Sequence, residues 1–201
     1  MTIQQIYTQF LIPQNLQQHM LRVAALAQII LENWTGKKPD TEAIVIAAAL
    51  HDIAKPVTFD LAKQAEYGLS LKEIQDLANL QKMIKTKYSS QEHQALLGIA
   101  QDLGYSALTV DILDNDEWEF IPRLLSDQQI EPLIMIYADM RIGWNGILSL
   151  SERLAKLQAR TAIANLEVYQ KNGPKLEEMI QEKTTIDITQ ITNQDLESRF
   201  T

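Results

Sequence analysis

The sequence predicts an all-α fold: a helical bundle with a C-terminal helical extension. Apolar residues recur at helical spacing along almost the whole chain. Seven Gly and six Pro among 201 residues are too few for a turn-rich β fold. One segment, TEAIVIAAALHDIA, is apolar on every side, as the central buried helix of a bundle should be. With 46% hydrophobic residues the chain has material for one core.

Taken in order, residues 2–11 form a short amphipathic stretch that ends at Ile12-Pro13. A helix from about Pro13 to Asn33 carries Val23, Leu26, Ala27 and Ile30 on one face, and the Thr35-Gly36-Lys37-Lys38-Pro39 run ends it. Asp40 or Thr41 caps the central helix, and Lys55-Pro56 stops it. Residues 57–88 are less regular, with one helix near 70–84. Ser89 or Ser90 caps QEHQALLGIAQDLG, and Gly104 ends it. A short helix covers 106–114, and DNDEWEFIPRLLSDQQ reads as a loop or short turns. EPLIMIYADMRIG is a strong apolar helix. A long amphipathic helix from about 149 to 171 presents Leu150, Leu154, Leu157, Ala164 and Val168, so it must bury a face on the core or on a second subunit, as in a homodimer. Asn172-Gly173-Pro174 reads as a break. The chain therefore divides into a helical domain over 1–172 and a charged, partly helical tail over 173–201.

Composition narrows the function. With no Cys there are no disulfides, zinc-thiolate sites or cysteine nucleophiles, which suits a reducing cytoplasm. The N-terminus lacks a basic region followed by a long apolar run, and no uncharged stretch approaches the roughly 20 residues of a membrane helix. A net charge of −8 opposes general nucleic-acid binding, which needs a basic surface. A small phosphorylated substrate remains compatible, because a bound metal and a few placed cations reverse the local field.

The three histidines each lie on the apolar stripe of a predicted helix. His19 shares its face with Val23, Leu26 and Ile30. His51 follows Ile44, Ala47 and Ala48, with Asp52 adjacent. His93 aligns with Leu96, Leu97 and Ala100. Asp139 lies with Met135, Ile136 and Ile142, and no Lys or Arg shares the stripe of Asp52 or Asp139. One such histidine is more often a hydrogen-bonded core residue than a ligand. A carboxylate is costly in apolar surroundings unless paired, protonated or metal-bound. Three His and two Asp pointing inward form a donor set for a divalent transition metal, and Mn²⁺, Fe²⁺, Co²⁺ and Ni²⁺ all accept it.

His19 within QHMLRVAALAQII, His51-Asp52 within AALHDIAKP, and Asp139 within IYADMRIG resemble the H…HD…D signature of the HD-domain superfamily, over about residues 15–150. The resemblance implies a helical bundle that hydrolyses phosphate esters or anhydrides, with metal ligands His19, His51, Asp52 and Asp139. Within the superfamily the chain is most similar to the branch of bacterial symmetrical diadenosine tetraphosphate hydrolases, which share HDIAK and a later His opening a helix, here His93. That branch uses a further His for a second metal. This chain instead reads TVDILDNDEWEF there, where Asp114 or Asp116 can substitute as an oxygen ligand.

The expected chemistry is hydrolysis of a small phosphorylated compound, a nucleotide or dinucleotide, by a metal-activated water. Asp52 accepts or orients the proton and Lys55 contacts phosphate, though a helix C-terminal Lys favoured by the macrodipole explains Lys55 as well. His93 and Asp114 are candidates for a second metal or for substrate. Arg141 flanks Asp139 as a surface salt-bridge residue. Lys82, Lys85 and Lys87 read as a solvated face, and Trp118 and Phe120 as core filling. The alternative is a non-catalytic HD-fold module that binds metal or nucleotide for regulation.

Overall fold

Most helices begin where a short polar side chain can take the first free backbone N–H groups. In the computed structural model, which describes residues 1–159 and 166–199, Thr2 opens α1 (Ile3–Gln9) with a reciprocal bond from Gln5. Helix α2 (Gln14–Glu32) follows Pro13, and Asp40 caps α3 (Thr41–Leu50) through the Ala43 N–H. Two 3₁₀ segments, Lys55–Thr58 and Leu61–Tyr67, lead to α4 (Leu71–Lys87), capped by Ser70 and Glu73. Then come α5 (Glu92–Asp102), α6 (Ala107–Asp114), α7 (Ile121–Asp127) and α8 (Ile130–Arg141). A hairpin of β1 (Ile142–Gly143) and β2 (Gly146–Ile147) turns into α9 (Leu150–Gln158), and α10 (Leu166–Glu182) and α11 (Asn193–Glu197) complete the chain. The fold is all-α, as the periodicity predicts, and that hairpin holds the only strands among the described residues.

Helices α2, α3 and α8 pack on one another at the centre, with α6 against α3 and α8. Leu26, Ile30, Ile44, Leu50, Ile134 and Ile136 are wholly buried there, each contributing about 1.5–3 kcal/mol relative to exposure. In the hairpin, Gly146 adopts φ +127, and a Cβ there would collide with the Asn193 amide, whose Oδ1 accepts from the Ile147 N–H at 2.9 Å. The hairpin thus rests on the segment that opens α11.

Four sequence expectations change. Residues 121–127, read as a loop, form α7: Pro122 stands in its first turn, where a missing N–H costs nothing, and Ile121 and Leu124 enter the core. Gln91, not Ser89 or Ser90, is the N-cap of α5, while Ser89 Oγ accepts from the Gln91 N–H. Helix α3 ends at Leu50, so His51 is its C-cap and Asp52 lies in the turn beyond it. The fourth change is the break at Asn172-Gly173-Pro174, which is instead the middle of α10. A helix-interior proline costs about 3 kcal/mol. Here burial of Tyr169, Leu176 and Ile180 on both sides offsets it, and Gly173 lets α10 approach Met140 of α8 closely. Of the helix expected over 149–171, 150–158 and 166–171 are helical; residues 160–165, including Ala164, lie outside the described residues.

The chain after 172 joins the same hydrophobic core through Leu176, Ile180, Ile188 and Leu196. It also meets the far end of α2. The Thr35 N–H donates to the Lys183 carbonyl at 2.7 Å, the Thr185 N–H donates to the Asn33 carbonyl at 2.9 Å, and Arg199 pairs with Glu32 at 2.7 Å.

Candidate metal centre

The end of α3 builds the centre. The last carbonyls of a helix have no intrahelical partner, and here side chains supply them. The Tyr7 hydroxyl donates to the Ala49 carbonyl at 2.7 Å. The His51 ring turns back so that Nδ1 lies 2.8 Å from the Ala48 carbonyl. A carbonyl only accepts, so Nδ1 carries the proton and the Nε2 lone pair faces the cavity, the ring orientation common to metal-ligating histidines.

From α2, His19 brings its Nε2 to 3.3 Å from His51 Nε2. From α8, Asp139 Oδ1 lies 3.0 Å from His19 Nε2 and 3.7 Å from His51 Nε2. These three donor atoms lie within 4.8 Å of one another. Donors about 2.1 Å from a shared ion stand roughly 3.0–3.4 Å apart, so the set fits a divalent transition metal in spacing and in chemistry. Burial opposes the negative charge of Asp139. The hydrogen bond and charge of His19, with the charges of His51 and Arg153, outweigh it and hold the carboxyl well below its usual pKa.

Asp52 stands at the edge of this trio. Its Oδ2 is 3.5 Å from His51 Nε2 and 3.9 Å from His19 Nε2, but only 2.5 Å from Lys55 Nζ. Asp52 therefore does have a cationic partner, contrary to the stripe-by-stripe reading. The two stand three residues apart, a spacing that brings side chains together on one side of a helical turn. Burial lowers the Lys55 pKa, but the charge and hydrogen bond of Asp52, then Asp139 and Glu92, raise it beyond the ordinary value, so Lys55 stays cationic.

His93 and Asp114 meet each other, Nε2 to Oδ1 at 2.9 Å, on an exposed part of α5 and α6 and outside the trio. Of the two acids offered as a replacement ligand, Asp116 is the one that senses the trio. Burial raises its pKa well above the carboxylate range, the charges of Asp139, Asp52 and Glu117 add to this, and Lys55 opposes it. Trp118 and Phe120 are only partly buried against the core. Trp118 packs edge-on against Tyr169 with ring centroids 5.2 Å apart. Lys87 is engaged by Asp102 on the surface.

Arg141 is not a surface residue. It is buried, donating from Nε to the Leu148 carbonyl at 2.5 Å and from Nη1 to the Tyr137 hydroxyl at 2.6 Å and the Ile188 carbonyl at 3.1 Å, with Glu177 at 3.5 Å. Sequence reasoning also passed over Arg153, which lies within electrostatic reach of Asp139. Its signal was available: Arg153 falls three residues after Leu150, on the side of α9 that faces inward.

Fold and site together define an all-α bundle with a three-residue centre able to hold a metal ion. The HD domain family model matches residues 16–95, which include His19, His51, Asp52 and His93, and this supports the HD-domain superfamily. Asp139 lies beyond the matched stretch and joins the site through its geometry alone. No curated protein and no solved structure matches the chain.

Proposed function

We propose that the protein is a metal-dependent phosphohydrolase that cleaves an ester or anhydride bond in a small phosphorylated compound, a nucleotide or dinucleotide. The observation that carries this reading is the convergence of His19 Nε2, His51 Nε2 and Asp139 Oδ1, with the His51 lone pair fixed inward by Ala48. Asp52 completes the proposed ligand set from its edge, and the metal is Mn²⁺, Fe²⁺, Co²⁺ or Ni²⁺. A divalent ion in this site supplies a water of lowered pKa and polarises a phosphoryl oxygen. His19 and His51 would offer their Nε2 atoms to the ion, and Asp139 would contribute a carboxylate held negative by its neighbours. In this reading Asp52 Oδ2 would accept a proton from the attacking water, and Lys55 Nζ, 2.5 Å away, would keep that carboxylate oriented. His93 and Asp114, already paired, are the proposed second-metal or substrate position. Among the described residues no helix is long and apolar enough to cross a membrane, and we place the protein in the cytoplasm on its lack of cysteine.

The test is turnover of phosphate esters, nucleotides and dinucleoside polyphosphates with added Mn²⁺ or Co²⁺. We expect hydrolysis of at least one class, abolished by a chelator. One observation favours the alternative of a non-catalytic metal- or nucleotide-binding module: Lys55 is occupied by Asp52. Metal bound with no turnover on the whole panel selects that alternative.

A further inference from the structure

A phosphohydrolase must hold the non-bridging oxygens of its substrate, and the cations around this centre differ in their availability. Lys55 is taken by Asp52. Arg141 is enclosed and occupied by Tyr137, Leu148, Ile188 and Glu177. Arg153 is the exception. Its Nε is sealed from solvent and has no hydrogen-bond partner, and its guanidinium makes no ion pair among the described residues.

Its position is fixed by α9. The Tyr169 hydroxyl lies 3.2 Å from the Leu150 carbonyl and 3.5 Å from the Met140 carbonyl. This pins the first turn of α9 to the residue that follows Asp139. Arg153 emerges one turn beyond Leu150 on that side. Among the described residues it makes no ion pair with Asp139. A desolvated donor without an acceptor is unfavourable, and such groups are retained where a ligand supplies the acceptor. The guanidinium fork matches two phosphoryl oxygens, which a lysine point charge does not.

We propose that Arg153 is a phosphate-binding residue of the His19–His51–Asp139 site, its guanidinium taking two non-bridging oxygens of the substrate. The proposal rests on the phosphohydrolase reading and assigns the substrate's anionic group to a residue of α9, outside the stretch matched by the HD domain. It is tested by calorimetric titration of the full, Mn²⁺-loaded chain with inorganic phosphate, with Mn²⁺ content measured alongside. Wild type is compared with Arg153→Met, Arg153→Lys and the exposed control Lys156→Met on the same helix. The expected result is equal Mn²⁺ in all four and phosphate affinity weakened about tenfold to a hundredfold in Arg153→Met. Arg153→Lys should recover part of the loss, and Lys156→Met should match wild type. If Arg153→Met does not fold, the Lys variant carries the comparison, since a lost fork should still weaken binding several-fold. Phosphate affinity within twofold of wild type in the Arg153 variants overturns the proposal, as does loss of Mn²⁺ together with phosphate. The wild-type turnover panel separates the two readings. Turnover with unchanged phosphate affinity removes Arg153 and leaves the phosphohydrolase standing, whereas neither turnover nor phosphate binding by wild type overturns both.

Discussion

Lys55 Nζ lies 2.5 Å from Asp52 Oδ2, so the lysine four residues after His51 is committed to the carboxylate beside it. Lys55→Met leaves Asp52 without a cation on a side chain that is only 10% exposed. Because Lys55 itself is partly in solvent, the metal-free protein should lose about 1–2 kcal/mol rather than the full cost of a broken buried pair. Added Mn²⁺ should then raise the melting temperature more in the variant than in wild type, since the ion takes over the compensation. Equal metal-induced shifts would show that Asp52 does not face the metal.

His51→Ala removes an inward imidazole and the ring that caps Ala48. Bound metal in the purified protein should fall to near background by elemental analysis. His93→Ala should leave that metal in place, because His93 meets Asp114 outside the trio. Full metal retention in the His51 variant would remove this histidine from the site.

Asp139 and Asp116 should respond to pH in opposite senses. The folded pKa of Asp139 is depressed, so its contribution to stability is present above the unfolded value of about 3.9 and is lost as pH falls through the folded value. The folded pKa of Asp116 is raised. Its contribution is present below about 3.9 and is lost as pH rises through the folded value. In chelator-treated protein, Asp139→Asn should flatten the acid side of the melting-temperature profile. Asp116→Asn should flatten the decline on the other side and raise stability near neutrality. Profiles that superimpose on wild type would contradict both assignments.

A chain cut after Asn172 loses Leu176, Ile180, Ile188 and Leu196 from the core, and Glu177 from Tyr137 and Arg141. Such a truncation should not unfold cooperatively, and Leu176→Ala alone should cost about 2–5 kcal/mol. A truncated protein with the wild-type thermal midpoint would establish 173–201 as a separable tail.

The centre was legible because its donors obey local rules. His19 and Asp139 sit on helical faces whose neighbours are plainly apolar, and His51-Asp52 follows the most apolar helix in the chain. Pairings across the fold were not legible. Arg141 reads as a surface cation until Ile188, 47 residues away, offers a carbonyl. Asn172-Gly173-Pro174 reads as a turn until Met140 is seen packed against Gly173. Lys55 is expected at phosphate from its place in the HDxxK pattern, which does not reveal that its nearest partner is Asp52, three residues before it.

The bonds that join Thr35 to Lys183 and Glu32 to Arg199 span 148 and 167 residues. Contacts so distant must bear the closure entropy of nearly the entire polypeptide before they repay it. Helix α2, which carries His19, therefore completes its far end only after residues 183–199 have emerged and docked. During synthesis the metal trio can gather before its supporting helix is anchored, so an early-bound ion would act as a provisional clasp on an unfinished bundle.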